Sequence, residues 1–277
     1  MKKIAFFVCV AMALTSCEKQ IDTEKEKETG GKQLVTITFT PYDMEVMAPT
    51  RTATSVADYC THIDIWLSTG TSTNAYHQLA DQTGFGTMSL PLDKTKTYTL
   101  TAVAHRCDGN ATLTDGVIAF PGDKLTQSMV YTTTFSPATT TNINAEMQRI
   151  VAQFRLEVTD NIPDDVKKLR FTISDIFDRW NVTTGGTHSL DRVSTINYNG
   201  TSSIFNIYAI VTDAETTHTV TVEALGADDD VIVTRSFANV PLINGYRSTY
   251  RGNMFSETNV IMGFVSNDWN AYDVVNF

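Results

Sequence analysis

Cysteine is scarce, at four in 277 residues. Cys9 and Cys17 stand at the start of the chain, so the body holds only Cys60 and Cys107, enough for at most one disulfide. Basic residues are outnumbered, 21 Lys and Arg against 31 Asp and Glu for a formal net charge of -10. With no basic patch to meet phosphates, a nucleic-acid partner is excluded. Long apolar runs are missing too: Ile4 to Leu14 falls well short of the roughly twenty residues that a spanning helix needs. No amphipathic helical pattern appears, and Ser55 to Tyr59 has room for a short helical turn at most. There is no glycine-rich phosphate loop, no strained Gly-x-Ser-x-Gly turn, and no metal-ligand spacing among His62, His77, His105, His188 and His218. The run Asp228, Asp229, Asp230 lacks the spaced ligands and turn glycine of a calcium loop. The reading is therefore of a chain that is not an enzyme, with no catalytic residues, no cofactor and no metal site.

What is present begins with a three-part export signal: basic Lys2 and Lys3, the apolar run, then small residues ahead of a cysteine. Leu14, Thr15, Ser16 and Cys17 resemble the lipobox of bacterial lipoproteins. That resemblance implies a signal peptide over 1–16 and acyl chains (palmitate among them) on Cys17, a stable anchor that needs no spanning segment. Residues 17–32 are almost purely polar and cannot bury enough apolar surface to offset their ordering entropy, so they read as a tether. Their acidic character resembles the surface-export signal of Bacteroidetes lipoproteins and implies the outer membrane, facing the cell exterior.

From Lys32 onward the chain is rich in threonine, valine, isoleucine and aromatics with two-residue alternation, the signature of strands. Asp108-Gly109, Asp115-Gly116, Gly185-Gly186, Asn199-Gly200 and Asn244-Gly245 supply turns. Many short strands with frequent local turns predict an all-β protein of sandwiches rather than a parallel sheet. A Thr- and Asn-rich connection over Pro137 to Glu146 divides two series of strands, predicting an N-terminal domain over 33–146 and a C-terminal one over 147–277. Ile150, Ala152, Phe154, Leu156 and Val158 then alternate with polar residues, as in a strand with one buried and one wet face.

The two remaining cysteines sit suggestively. If the strands holding His62 to Leu67 and Tyr98 to His105 are antiparallel neighbours, one register sets Cys60 against Cys107 and His62 against His105, with Ile63 beside Ala104 and Ile65 beside Ala102. A Cys60–Cys107 disulfide, a pair of free buried thiols, and a zinc site with the two histidines all remain open, the last disfavoured because paired strand residues do not converge as tetrahedral ligation needs.

Taken together the chain resembles the fimbrillin superfamily of Bacteroidetes, in particular the FimB-type minor subunits, anchors and accessory adhesins of fimbriae. The resemblance rests on Cys17 with its lipobox; on Ala48-Pro49-Thr50-Arg51-Thr52; and on Tyr98 to Ala104 leading into Asp108-Gly109. It rests further on Val158-Thr159-Asp160 with Ile162-Pro163, and on Asn239-Val240-Pro241-Leu242 followed by Tyr246 to Asn253. It implies two tandem transthyretin-like, Greek-key β-sandwich domains, a role in cell adhesion, and other fimbrial subunits as partners through strand donation, with a host or bacterial surface ligand beyond them. Leu34, Val35, Thr36, Ile37, Thr38 and Phe39 would then be the first strand, donated or released, and Arg51 the site where a trypsin-like protease cuts in stalk subunits; lipid-anchored base subunits are expected to keep the strand. The alternative is a glycan-binding surface lipoprotein of a polysaccharide-uptake system, for which Trp180, expected in a loop beside Gly185-Gly186, is the candidate sugar contact.

Overall fold

The computed structural model describes residues 31–42, 55–211, 216–256 and, for the backbone alone, 262–266. The signal, Cys17, the tether up to residue 30, Arg51 and Trp269 lie outside the described residues. The chain is all-β, with two short 3-10 turns at Val56–Asp58 and Pro121–Asp123.

The first nine strands are β1 (Lys32–Pro41), β2 (His62–Ser68), β3 (Thr73–Leu79), β4 (Thr87–Asp93), β5 (Tyr98–His105), β6 (Thr112–Thr114), β7 (Val117–Ala119), β8 (Met129–Phe135) and β9 (Asn142–Arg149). Seven of them run in the order β3-β2-β5-β8-β9-β1-β4. The β8–β9 join consists of only Met129↔Arg149 and Val130↔Gln148. There the sheet folds over into two layers, because Ile63, Ile65, Leu100 and Ala102 of one half share a core with Val35, Ile37, Ala145 and Met147 of the other. Alternation does the sorting: side chains of successive strand residues point to opposite faces, so β9 buries Ile143, Ala145 and Met147 and exposes the residues between them.

The remaining strands are β10 (Ala152–Val158), β11 (Lys168–Asn181), β12 (Gly185–Asn197), β13 (Ile204–Ala209), β14 (Thr216–Leu225), β15 (Val231–Leu242), β16 (Arg247–Gly252) and β17 (Met262–Ser266). One sheet runs β13-β10-β16-β17; the other runs β15-β14-β11, with β12 also paired to β11. Phe154, Leu156, Phe171, Ile173, Val220 and Val222 fill the core between them. A register shift between Ile173 and Ile176 bends β11. Its far end then pairs with β7, Trp180 opposite Ile118. The hairpin of β6 and β7 thereby joins the second sheet, and a third core gathers Trp66, Val103, Cys107, Ile118, Phe120, Ile150, Val151 and Ile210 at the junction.

The structure corrects the sequence reading at three places. Part of the expected connection, Asn142 to Glu146, is strand β9, paired in parallel with β1; the change of sheets falls at Ile150–Val151, between β9 and β10. The expected wet face of β10 is buried: Gln153, Arg155 and Glu157 are 3%, 7% and 5% exposed. Arg155 and Arg251 pair with Glu157 at 2.7 and 2.5 Å, and Gln153 bonds Arg247 and Tyr208, so long side chains from β13 and β16 cover the face. Gly185-Gly186 opens strand β12 instead of lying in a loop, and Trp180 lies within β11 opposite Gly186. Of the states left open for the two remaining cysteines, the structure has Cys60 and Cys107 both buried and free.

Candidate functional site

Lys32–Pro41 alternates Val35, Ile37 and Phe39 with Leu34, Thr36 and Thr38, and the fold uses the alternation fully. The first set is buried at 0%, 0% and 3% exposure. On the other face Thr36 Oγ1 meets Ser89 Oγ at 2.9 Å and Thr40 Oγ1 donates to Asn144 Oδ1 at 3.2 Å. Although first in sequence, β1 is not an edge strand. It pairs antiparallel with β4, Leu34 opposite Pro91 and Ile37 opposite Met88. It also pairs in parallel with β9, Thr36 opposite Asn142 and Phe39 opposite Ala145. Two further bonds close its end, Phe39 N–H to Gly86 O and Tyr42 N–H to Met147 O, both at 2.8 Å. Beyond Tyr42 only residues 43–54, outside the described residues, link β1 to the capped turn at Ser55. Withdrawing β1 would leave a slot one strand wide, with ladder partners on both sides and three vacated apolar positions on its floor. Such a site recognises an extended chain through backbone bonds, with alternate side chains giving specificity.

The expected register of β2 on β5 is the one observed: His62 opposite His105, Ile63 opposite Ala104, Ile65 opposite Ala102. The two imidazoles stack at 5.2 Å with planes 6° apart. The cysteines nevertheless diverge. Pairing ends with Thr61 N–H to His105 O, and the chain then turns through the 3-10 segment, where Cys60 N–H bonds Val56 O at 2.9 Å. That turn sends Cys60 into the core between the layers, while Cys107 enters the junction core on the outer face of β5. Burial, the largest influence, pushes the Cys60 thiol up to about 12, so it stays protonated and unreactive.

The sequence reading missed the polar centre of the junction. Asp64, 3% exposed on β2, accepts at Oδ2 from His105 Nε2 and from Ala111 N–H, each at 2.8 Å. Cys107 N–H in turn donates to His105 Nδ1 at 3.1 Å. Burial works to lower the His105 pKa, but its hydrogen bonds to Asp64 and Cys107 drive it up, to about 9. Against that charge stands the geometry: an amide N–H aimed at Nδ1 needs a lone pair there, which only the neutral ring offers, so we assign the Nε2–H tautomer. A lone Asp inside the apolar run Ile63 to Leu67 was the available signal. Trp180 is partly buried against this junction core, its ring about 3.7 Å from where a Cβ on Gly185 would stand. Among the described residues no group of His, Cys, Asp and Glu is placed to hold a metal.

No family model matches the chain, and no curated protein matches it. Solved structures do. One from Bacteroides ovatus, provisionally described as an adhesin, is similar at a TM-score of 0.51 and 11% identity, over 84% of this chain and 95% of that one. The fimbrial anchor protein Mfa2 from Porphyromonas gingivalis matches at 0.45 and 12%, over 85% and 98%. A fimbrial assembly protein from Parabacteroides distasonis matches at 0.44 and 12%, over 85% and 96%. At 11% identity the likeness is one of fold alone: this all-β architecture is shared with the Bacteroides ovatus structure.

Proposed function

We propose that this chain is a fimbrial subunit or accessory adhesin of the outer-membrane surface, held by acyl chains on Cys17 and joined to neighbouring subunits by exchange of a strand in the β1 slot. The observation that carries the reading is the interior position of β1, a segment with a ladder on each side and the core residues Val35, Ile37 and Phe39 beneath it. A strand that completes a sandwich from within its sheet, connected onward only through residues 43–54, is an element that a given subunit could yield and another replace. The likeness in fold to the Bacteroides ovatus structure described as an adhesin, and the tandem transthyretin-like domains that the sequence resemblance implies, support the same reading. So does the order of the chain, in which the lipid, the tether and β1 follow one another without interruption.

That order also favours a base or accessory position. A cut after Arg51 would break the covalent path from the lipid to the body, so an anchoring subunit keeps β1 and leaves Arg51 uncut. Two measurements test the proposal. Cys17→Ala should move the protein from the membrane fraction to the periplasm, and unchanged fractionation refutes the lipid anchor. Incubation with a synthetic peptide of residues 32–42, with and without prior tryptic cleavage after Arg51, should show the peptide bound only when β1 has been freed. A cleaved body that never takes up the peptide refutes strand exchange in this slot.

A further inference from the structure

The slot that β1 fills is graded in width. Directly opposed strand residues stand with Cβ atoms about 4.5–5.5 Å apart, so the size of each cross-strand neighbour sets the room left for the side chain beside it. Val35 stands opposite Leu90 of β4, and Ile37 between Met88 of β4 and Ile143 of β9. Phe39 stands opposite Ala145 of β9, and on its other side its N–H bonds Gly86 O at 2.8 Å, just beyond the last ladder pair of β4. The largest side chain of the three thus lies between the two smallest neighbours. Val35, Ile37, Phe39 and Ala145 are all buried, and a close-packed interior accepts neither an added nor a missing methylene without cost.

The broad end is built to stay broad. Gly86 has a φ of +87°, in the left-handed region that favours glycine, and a Cβ there would meet Val56 Cγ1 at 3.2 Å. Its place is pinned from β3, where Gln78 Oε1 accepts from Gly86 N–H at 3.0 Å and Gln78 Nε2 donates to Thr87 O at 2.8 Å. Val56 shares the core of Phe39, on a turn held by the reciprocal cap of Ser55 and Asp58. Direction is fixed as well. The occupant runs antiparallel to β4 and parallel to β9, and the two kinds of ladder space their hydrogen bonds differently. The solvent face adds little selection, since Thr36 with Ser89 and Thr40 with Asn144 bond where water competes.

We infer that the slot selects its strand by side-chain order: two branched aliphatic residues and then an aromatic one, at alternate positions read from the N-terminus, with Ala145 and Gly86 setting the aromatic position. The inference rests on the strand-exchange reading and adds which partner strands the slot accepts; apolar alternation alone does not suffice. The test uses the full chain, purified in detergent and cleaved after Arg51 with its own strand still seated. Labelled peptides of residues 32–42 compete for entry, followed by native mass spectrometry. One is natural, one carries Val35→Phe with Phe39→Val, which keeps the composition and reverses the order, and one carries Phe39→Val alone. The natural peptide should enter about tenfold better than the order-reversed one, or more. In a chain with Ala145→Leu, which fills the aromatic position, the Phe39→Val peptide should enter better than the natural one. Equal entry of the natural and order-reversed peptides overturns the inference and leaves strand exchange standing. An unchanged preference in Ala145→Leu protein of native circular dichroism overturns the role of Ala145. Entry of no peptide refutes strand exchange, and the order is then decided in the intact chain. There Val35→Phe with Phe39→Val should lower the urea midpoint, and an unmoved midpoint overturns the inference.

Discussion

Replacing Ile37 by alanine tests whether β1 holds the N-terminal sandwich together. Val35, Ile37 and Phe39 are essentially fully buried. At about 1.5–3 kcal/mol for each such side chain, the three contribute roughly 5–9 kcal/mol. That is comparable with the whole net stability of a domain, about 5–15 kcal/mol. The N-terminal sandwich should thus not persist with its slot empty, so the proposed strand exchange would have to be concerted. Ile37→Ala deletes atoms from the centre of that set and should cost about 2–5 kcal/mol, the cavity included. Thr38, the next residue, faces outward, and Thr38→Ala should fall within about 0.5 kcal/mol of the parent. Urea unfolding of the full chain, followed by fluorescence, should show the first transition displaced by about 1 M or more in Ile37→Ala and nearly unmoved in Thr38→Ala. Equal effects of the two substitutions would refute the claim that the buried face of β1 carries this energy.

Other expectations concern the polar groups. At neutral pH, ¹⁵N NMR should report His105 as the neutral Nε2–H tautomer, and a doubly protonated ring would show that Asp64 outweighs the Cys107 amide. Asp160 accepts from the amides of Met254, Phe255 and Ser256 at 2.9, 2.7 and 2.8 Å; burial works to raise its pKa, but the three donors prevail and hold it below the usual carboxylate value of 3.8. Its contribution, about 0.5–2 kcal/mol by analogy with helix caps, is complete above that value and is lost as the pH falls through the lower folded one. The gap in thermal stability between parent and Asp160→Ala should accordingly close in acid, and a gap that widens there contradicts the assignment. Denatured, unreduced protein should take up an alkylating reagent on both Cys60 and Cys107, and the folded protein on neither; a mass two hydrogens short with no uptake would restore the disulfide.

Where apolar residues alternate without interruption, the sequence was sufficient. The β2–β5 register followed from pairing Ile63 with Ala104 and Ile65 with Ala102, and β1 from Val35, Ile37 and Phe39. Strand β9 was hidden because its buried set includes the small Ala145 and its outer face is Asn142, Asn144 and Glu146, a composition shared with connections. Strand β12 was hidden because an edge strand with little buried surface needs few apolar residues. The buried outer face of β10 depends on partners nearly a hundred positions away in sequence, such as Arg251 for Glu157, and no local pattern announces them. The cysteines illustrate a third limit: the register was right, but one helical turn beyond the last ladder bond decides which core each sulfur enters.

On the proposed reading, in which an acylated Cys17 lies ahead of β1 and an adhesive contact beyond it, load entering the body would act along the strand. Its hydrogen bonds to β4 and β9 would then resist together in shear, rather than peel away one by one, and the lifetime under load would follow the unfolding rate rather than the equilibrium stability. With the backbone through residue 51 whole, the proposed anchor would stay covalently joined to the body. Once it is cut there, the same ladder and the buried face of β1 would become the sole grip, turning a covalent mooring into one that can slip.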